Sequence, residues 1–315
     1  MFDNLTEKQQ ALLEFINDKW KEKGSELEKA VDGGFCFAIQ TDTHFSVTSN
    51  EKDAHNLKAL SHFIPLKFYA NLGDYIKGYF KGEVGKIDNT PDKTMRSLIE
   101  ITHRYLDGAN CPVLITFGNH DTNQLWCKNY GRADQQLTQA DHHEQVITKI
   151  QAHNGSSMVA NGDSNYYYVD FISDNIRVIM INTTDGCYES EFDSTAQISA
   201  NQLEWFENVA LDTSLSVIVM LHVPLIPEFP GNDGSKIAGG EKIRSAVEKF
   251  IADGGDFIAY FNGHTHNQAD LTDENGRLHI SFQNGGHLAE VVKIDTKKRT
   301  IKTVGLGNEN RFFNY

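Results

Sequence analysis

Short apolar runs alternate with stretches of helical periodicity along the first half of the chain. The runs FCFAIQ, FYANLG and PVLITFG predict strands, because each is a short apolar segment bounded by turn residues. Between them the pattern predicts helices near 52–65 and 92–106. Alternation of this kind is typical of βαβ units around a largely parallel sheet.

The second half contains more strand-like runs, separated by two helical patterns at 199–210 and 240–252. In chain order these runs are YYYVDF, IRVIMIN, SVIVML, DFIAYF, LHISF, EVVKID and TIKTVG. We expect the first two to pair with each other and the last three to form hairpins, since turn residues separate them. The predicted fold class is therefore α/β.

Residues 1–33 predict an N-terminal helical extension. Apolar residues at helical spacing among Lys and Glu favour an amphipathic helix between residues 5 and 30 that packs on the main body. Because no linker or convincing repeat divides the remainder, residues 34–315 are predicted to form one domain. Within it, residues 122–165 predict a polar insertion with a helix near 139–151, and insertions of this kind commonly line a site.

The composition is that of an ordinary globular protein, with 39% hydrophobic and 23% charged residues. The formal net charge of −14 disfavours nucleic acid as a partner, because a polyanion would be repelled over most of the surface. Two bound divalent ions would add about four positive charges at one place, so a local phosphate site is compatible with this charge.

The four cysteines include no C-x-x-C pair and are interpreted as buried free thiols. The first residues lack a basic segment followed by a long apolar stretch, and no window approaches 18 apolar residues. We therefore expect a cytoplasmic protein without a membrane span.

Polar residues follow the first two predicted strands directly. Asp42 and His44 come after FCFAIQ, where the alternation of an extended chain would place both side chains on one side. Asp74 follows Gly73 after FYANL, where glycine permits a close turn that exposes the carboxylate. Each pattern is weak alone, since both also occur in ordinary turns.

Three later strands end in the same way. GNHD at 118–121 sets an amide, an imidazole and a carboxylate side by side, which an ordinary turn rarely needs. A lone histidine such as His222, after SVIVML, is more often structural than a metal ligand. In GHTH, extended alternation would direct His264 and His266 the same way.

Together these motifs favour a metal site, because five sparse patterns each follow an independently predicted strand, and sites assemble at the carboxyl ends of strands in α/β sheets. The candidate ligands are Asp42, His44, Asp74, Asn119, His222, His264 and His266. Oxygen and imidazole donors without thiolates suit Mn²⁺, Fe, Zn²⁺ or Ni²⁺. Seven ligands are too many for one tetrahedral ion and suit two ions that share a carboxylate.

In this order the motifs D-x-H, GD, GNHD, H and GHTH, spanning residues 42–266, resemble the calcineurin-like metallophosphoesterase superfamily. The resemblance implies a four-layer α/β/β/α sandwich and two metal ions bridged by Asp74. It implies that His120 is a general acid whose ring Asp121 orients, while a metal-bridging hydroxide attacks phosphorus. The implied ligands are Asp42, His44, Asp74 and His266 for one ion, and Asp74, Asn119, His222 and His264 for the other.

The second motif departs from one branch of that superfamily. Ser/Thr protein phosphatases extend it as GDxVDRG, whereas Lys77 and Gly78 here replace the second Asp and the Arg. A protein phosphatase is therefore disfavoured, and GNHD resembles the bacterial phosphodiesterase-type members. Lys77 either contacts a substrate phosphate or is a solvated surface residue.

Further candidates for the substrate pocket are Asp185, after IRVIMIN, and Asn123, His142 and His143 in the insertion. For Asp185 the functional and structural interpretations are balanced. For Asn123, His142 and His143 a role as polar loop residues is favoured.

The leading hypothesis is a two-metal hydrolase of a phosphodiester or a small phosphomonoester. The alternatives are a catalytically idle binding or scaffold protein on the same fold, and a nuclease. Retention of His120 argues against the scaffold, because such a protein has no need of a general acid, and the charge of −14 argues against a nuclease.

Overall fold

The computed structural model describes residues 34–46, 61, 64–78, 91–122, 136–188, 196–232, 237–284, 289–306 and 308–315. The N-terminal extension predicted for 1–33, most of the helix predicted near 52–65, and Asn123 lie outside the described residues. In the part of the chain that is described, no helix combines the length and the apolar character needed to cross a membrane.

The described residues contain fifteen strands, numbered in chain order. They are β1 Phe35–Gln40, β2 Tyr69–Asn71, β3 Val113–Ile115, β4 Met158–Ala160, β5 Tyr167–Phe171, β6 Ile176–Met180, β7 Ala196–Gln197, β8 Ser216–Met220, β9 Ile237–Ala238, β10 Phe257–Asn262, β11 Ala269–Thr272, β12 Leu278–Ser281, β13 Ala289–Asp295, β14 Thr300–Leu306 and β15 Arg311–Asn314.

The α-helices occur in four regions of the described chain. They are α1 Pro91–Leu106, α2 Gln139–His142, α3 Thr148–Asn154, α4 Ala200–Trp205 and α5 Gly240–Ala252. A π-helical turn, His143–Ile147, joins α2 to α3, and another, Phe206–Ala210, extends α4. Thr138 and Ser199 cap α2 and α4, since each side chain accepts a hydrogen bond from the backbone N–H three residues later.

Two sheets carry the fold. The first has the order β15-β14-β13-β1-β2-β3, in which β1, β2 and β3 are parallel and β13 is antiparallel to β1. The second has the order β11-β12-β10-β8-β6-β5-β4, in which β6, β8, β10 and β12 are parallel. The short strands β7 and β9 form a separate pair.

The inner faces of the two sheets pack on each other through alternate residues of their strands. Phe37 of β1 stacks on Phe68 at a ring-centroid distance of 4.6 Å and meets Phe261 of β10 edge-on at 5.9 Å. Ile218 and Met220 of β8 belong to the same buried cluster. Burial of this apolar surface between the sheets is the main contribution to the stability of the core.

Helices cover both outer faces. On the six-stranded sheet, Leu98, Ile101 and Tyr105 of α1 are buried at helical spacing, and the Tyr105 hydroxyl donates to Gln40 Oε1 at 3.0 Å. On the seven-stranded sheet, Ile243 and Val247 of α5 belong to a second buried cluster with Val217 and Val219 of β8. The four-layer α/β/β/α sandwich is thereby confirmed.

The structure corrects the prediction for the C-terminal tail. LHISF is not part of a hairpin with EVVKID: β12 pairs in parallel with β10 and antiparallel with β11. The hairpin of β13 and β14 is confirmed, and β15 extends it. The sequence pattern missed β11 and β15 because only one face of each is half-buried, as their alternation of intermediate and exposed residues shows.

Candidate metal centre

The predicted ligand loops follow β1, β2 and β3 in one sheet and β8 and β10 in the other, and they meet at one end of the sandwich. The loops after β1 and β2 run side by side, with Asp42 N–H donating to Gly73 O and His44 N–H to Asp74 O, both at 2.9 Å. The two sheets are joined here, because His264 N–H donates to Asp42 Oδ2 at 3.0 Å.

The ligand loops have an unusual backbone. Of the seven described non-glycine residues with positive φ, five are predicted ligands: Asp42, His44, Asp74, His264 and His266. The expectation that extended alternation aligns each pair is therefore wrong, since both members of each pair adopt left-handed conformations. Such conformations cost roughly 1–3 kcal/mol each and are held only where surrounding contacts impose them.

Two glycines allow the loops to approach this closely. A Cβ on Gly118 would collide with Asp74 Oδ1, and a Cβ on Gly263 would collide with Thr41 Oγ1 and Asp42 Oδ2. The glycines of GNHD and GHTH are thus needed for contact between loops, because any side chain there would push a predicted ligand away.

Asp42, His44 and His266 form one cluster. Asp42 Oδ2 accepts hydrogen bonds from Thr41 Oγ1 at 2.6 Å and from His264 N–H. Its Oδ1 is buried and accepts no well-oriented hydrogen bond from any described residue, although His266 Nε2 lies 3.2 Å away. The Nε2 atoms of His44 and His266 face each other at 3.1 Å. The ligand atoms therefore point at one small volume.

Asp74, His222, His264 and Asn119 form the second cluster. His222 Nδ1 donates to Leu72 O at 2.8 Å, so Nε2 is the nitrogen that faces the cluster. Nε2 lies 3.3 Å from Asp74 Oδ2 and 3.3 Å from Asn119 Oδ1. With Asp74 and His222, His264 forms a group of three residues whose ligand atoms all lie within 4.8 Å of one another.

Asp74 connects the two clusters. Its Oδ1 accepts His120 N–H at 2.8 Å, which fixes the carboxylate plane. Its Oδ2 faces His222 Nε2 at 3.3 Å and His120 Nε2 at 3.9 Å. A further group of ligand atoms joins Asp74 to His44 and His120, so the carboxylate lies between both sets of histidines.

Burial and charge compete at these residues. Burial alone would raise the pKa of Asp74, but the neighbouring His222 and His120 hold it well below its usual value. Burial would lower the pKa of His222, yet Asp74 and Asp42 raise it to about 9. Burial lowers the pKa of His44 to about 4. The buried carboxylates thus require a nearby positive charge.

The donor set fits two divalent cations. The facing atoms are carboxylate oxygens, imidazole nitrogens and one amide oxygen, which are ligands of Mn²⁺, Fe, Zn²⁺ and Ni²⁺. Without a proton or a metal ion between them, the lone pair of His222 Nε2 is repelled by those of Asp74 Oδ2 and Asn119 Oδ1, each 3.3 Å away. Because metal ions bind neutral imidazole, metal binding would displace the proton from His222.

The expected contact between Asp121 and the ring of His120 is wrong. His120 Nδ1 donates to Lys77 O at 2.8 Å, so a backbone carbonyl orients the ring. The buried carboxylate of Asp121 accepts from the N–H groups of Asp74 at 2.8 Å, Gly118 at 2.7 Å and Ile76 at 3.0 Å. Asp121 therefore holds the backbone on which Asp74 and His120 sit.

Asp185 is also directed elsewhere than a substrate pocket. Its carboxylate accepts hydrogen bonds from Ser199 Oγ and from Ser199 N–H, the latter at 2.9 Å, and so fixes the start of α4. Burial raises the pKa of Asp185 to about 6. The structural interpretation of Asp185 is thereby favoured. Lys77 contributes its carbonyl to His120, and Asn123 lies outside the described residues.

His142 has a role that the sequence pattern did not indicate. It is fully buried, its ring packs on Phe117 at a centroid distance of 4.5 Å, and Nε2 donates to Asp121 O at 3.0 Å. Burial lowers its pKa to about 4, so the ring is neutral near pH 7. His142 therefore anchors the GNHD turn to α2, and His143 bonds the Ser164 carbonyl. His142 and Asp121 are 21 positions apart in the sequence, so no local pattern indicated this contact.

A family model described as calcineurin-like phosphoesterase matches residues 37–268. None of the curated proteins compared with the chain is a match. The crystal structure of a dimetal phosphatase from Danio rerio is similar with a TM-score of 0.63 and 15% identity, covering 90% of this chain and all of that one. At this identity the likeness concerns the fold.

Two other solved structures are similar at lower TM-scores. A 5′-nucleotidase from Candida albicans has a TM-score of 0.45 and 17% identity, covering 82% of this chain and 47% of that one. GAP50, the anchor in the inner membrane complex of Plasmodium, has a TM-score of 0.46 and 12% identity, covering 89% of this chain and 88% of that one.

Proposed function

Because the chain belongs to the calcineurin-like phosphoesterase family, we propose that it hydrolyses phosphate esters with two divalent metal ions. The observation that carries the proposal is the position of Asp74, whose carboxylate lies within ligand distance of His222 and His264 on one side and of His44 on the other. A single carboxylate in that position is suited to bridging two ions. Binding of one ion by a structural site would not need both clusters.

The proposed ligands divide between the two clusters. One ion is assigned to Asp42, His44, Asp74 and His266, and the other to Asp74, Asn119, His222 and His264. In support, His44 and His266 present Nε2 atoms 3.1 Å apart, and His222 presents Nε2 to both Asp74 and Asn119. Divalent ions bound there would acidify a water molecule and polarise the phosphoryl oxygens.

His120 is proposed as the general acid. Its Nδ1–H is held by the Lys77 carbonyl, so Nε2 is the atom that can deliver a proton to a leaving oxygen. Its Nε2 lies 3.9 Å from the bridging carboxylate, which places the ring beside both clusters. A positioned proton donor contributes roughly 10² to 10⁴ in rate. Asp121 is proposed as a positioning residue, because its carboxylate binds the backbone of the Asp74 loop.

The proposed substrate is a phosphodiester or a small phosphomonoester. Gly78 stands where protein phosphatases of this family have a substrate-binding arginine, which argues against a phosphoprotein substrate. The net charge of −14 argues against a long polyanion such as nucleic acid.

The direct test is hydrolysis of bis-p-nitrophenyl phosphate and p-nitrophenyl phosphate by the purified protein, with Mn²⁺, Fe²⁺, Zn²⁺ or Ni²⁺ added after removal of bound metal. We expect turnover that depends on the metal and is lost with EDTA. A folded protein that binds metal and hydrolyses neither ester, nor any member of a panel of mono- and diesters, would support a scaffold protein instead. Salt-sensitive binding of DNA would favour a nuclease.

A further inference from the structure

The C-terminal strand β15 contacts the two strands that follow the GHTH loop. Arg311 of β15 belongs to the six-stranded sheet, yet its Nη1 donates to Ala269 O at 3.1 Å and to Ser281 O at 3.0 Å in the seven-stranded sheet. Ala269 and Ser281 pair with each other across β11 and β12. One guanidinium nitrogen thus joins two strands at the end nearest the loop.

Ser281 carries this contact to the residues beside His264. Its Oγ donates to Gly263 O at 3.3 Å and is hydrogen-bonded to Thr265 Oγ1 at 2.7 Å. Both hydroxyl-bearing residues are buried. Gly263 and Thr265 flank His264, so Ser281 contacts the chain on both sides of that residue.

Gln268 ties down the other end of the loop. Its Nε2 donates to Glu290 Oε1 at 3.0 Å and to Glu309 O at 2.7 Å, and its Oε1 accepts Glu309 N–H at 3.2 Å. Arg311 Nη2 donates to the second oxygen of Glu290 at 2.9 Å. Since Gln268 is two residues after His266, the Arg311–Glu290 pair is connected to both histidines of the loop.

The Arg311–Glu290 ion pair carries a large desolvation penalty. Glu290 is completely buried and the side chain of Arg311 is 11% exposed, so both charges lose most of their hydration. Apolar residues of similar volume often replace buried ion pairs without loss of stability. The pair therefore acts mainly by positioning the groups that it bonds, because each of its hydrogen bonds has a fixed direction.

We propose that Arg311 is a positioning residue for divalent-metal binding, holding His264 and His266 in the left-handed conformations that direct them at the metal clusters. This inference rests on the proposed function. The match to the family ends at residue 268. Arg311, Glu290 and Ser281 all lie beyond that residue, so these positioning contacts come from the part of the chain outside the match.

The test is Mn²⁺ binding, measured by titration calorimetry and by the electron paramagnetic resonance of free Mn²⁺, on metal-stripped wild-type protein and variants. The variants are Arg311→Met, the double variant Arg311→Met with Glu290→Met, and Ser281→Ala. We expect two Mn²⁺ per wild-type chain and affinity weakened by roughly 10- to 100-fold in the variants, as for other contacts that orient metal ligands. Arg311→Lys should recover part of the affinity, because an ammonium group can pair with Glu290.

Arg299→Met is the matched control. Like Arg311, Arg299 pairs with a carboxylate, that of Asp256 at 2.7 Å, and donates to a backbone carbonyl, that of Tyr315, but it does so on the surface. We expect its Mn²⁺ affinity to equal that of the wild type.

The double variant separates positioning from folding, because it leaves no unpaired buried charge. Urea unfolding of each protein identifies the variants that are folded, and Ser281→Ala decides the question if both Arg311 variants fail to fold. Wild-type Mn²⁺ affinity in a folded double variant, or in Ser281→Ala when it alone folds, would overturn the inference and leave the proposed function intact. Absence of Mn²⁺ binding by wild-type protein would overturn both.

Discussion

His222 Nε2 lies 3.3 Å from Asp74 Oδ2 across the two sheets of the sandwich, although the two residues are 148 positions apart in the sequence. Nδ1 of His222 donates to the carbonyl of Leu72, two residues before Asp74. The histidine therefore holds both the carboxylate and the backbone that carries it. Any proposed chemistry at this end of the sheets depends on that contact, because it places Asp74 between the two ligand clusters.

Asp74→Asn should lose metal and activity together. The substitution keeps the size of the side chain but removes the charge that bridges two cations. We expect fewer than two Mn²⁺ per chain and a loss of hydrolysis of more than about 100-fold. Residues that only orient metal ligands already change metal affinity or activity by roughly 10- to 100-fold, and Asp74 is proposed as a ligand itself. Equilibrium dialysis and initial rates measure both. Asp163→Asn, at a fully exposed aspartate, is the control and should retain both.

His120→Ala should separate metal binding from turnover. The ring contributes no ligand in the proposed assignment, so Mn²⁺ stoichiometry should stay at two while kcat falls by roughly 10² to 10⁴. The loss should be larger for alkyl phosphate esters than for p-nitrophenyl esters, because p-nitrophenolate leaves without a proton. His153→Ala, at an exposed histidine, is the control. Loss of metal in His120→Ala would show that the ring is a ligand.

Asp121→Asn should lower the stability of the protein and leave the action of His120 as the general acid unchanged. The amide can satisfy fewer than the three backbone N–H groups that the carboxylate binds. One unpaired buried group costs about 1–3 kcal/mol, to be measured as a lower free energy of unfolding in urea. Because Lys77 O orients His120, the pH dependence of kcat should keep its wild-type shape. A shifted pH profile of kcat at unchanged stability would contradict this expectation and indicate a direct contact between Asp121 and the ring of His120.

Asp185→Asn should remove one source of pH-dependent stability. Burial raises the pKa of Asp185 from 3.8 to about 6 in the folded protein, so folding favours the protonated form. The resulting stabilisation, about 3 kcal/mol, is fully present below pH 4 and is lost as the pH rises through 6. The free energy of unfolding of wild type minus that of Asp185→Asn should therefore fall between pH 4.5 and 7. A pH-independent difference in urea unfolding would contradict the assignment.

Local patterns were sufficient for most elements of the fold. Apolar runs predicted β1, β8 and β10, because a strand whose two faces are both covered needs apolar residues throughout. Such a strand is therefore visible as a run of consecutive apolar residues. Helical spacing predicted α5 with its observed ends at 240 and 252. The tail was harder, since LHISF has the same local character whichever sheet it joins, and pairing with β10 is settled by contacts distant in sequence.

The sequence by itself determined which residue types stand at the strand ends, and hence the donor set, because Asp, His and Asn keep their chemistry wherever the chain carries them. Only the tertiary structure decided how they point. Alternation failed at Asp42 and His44 because hydrogen bonds to the neighbouring Asp74 loop impose positive φ there. The partners of Asp121, Asp185 and Arg311 were decided in the same way, since a buried charge bonds to whichever donors or acceptors the packed sheets bring within reach.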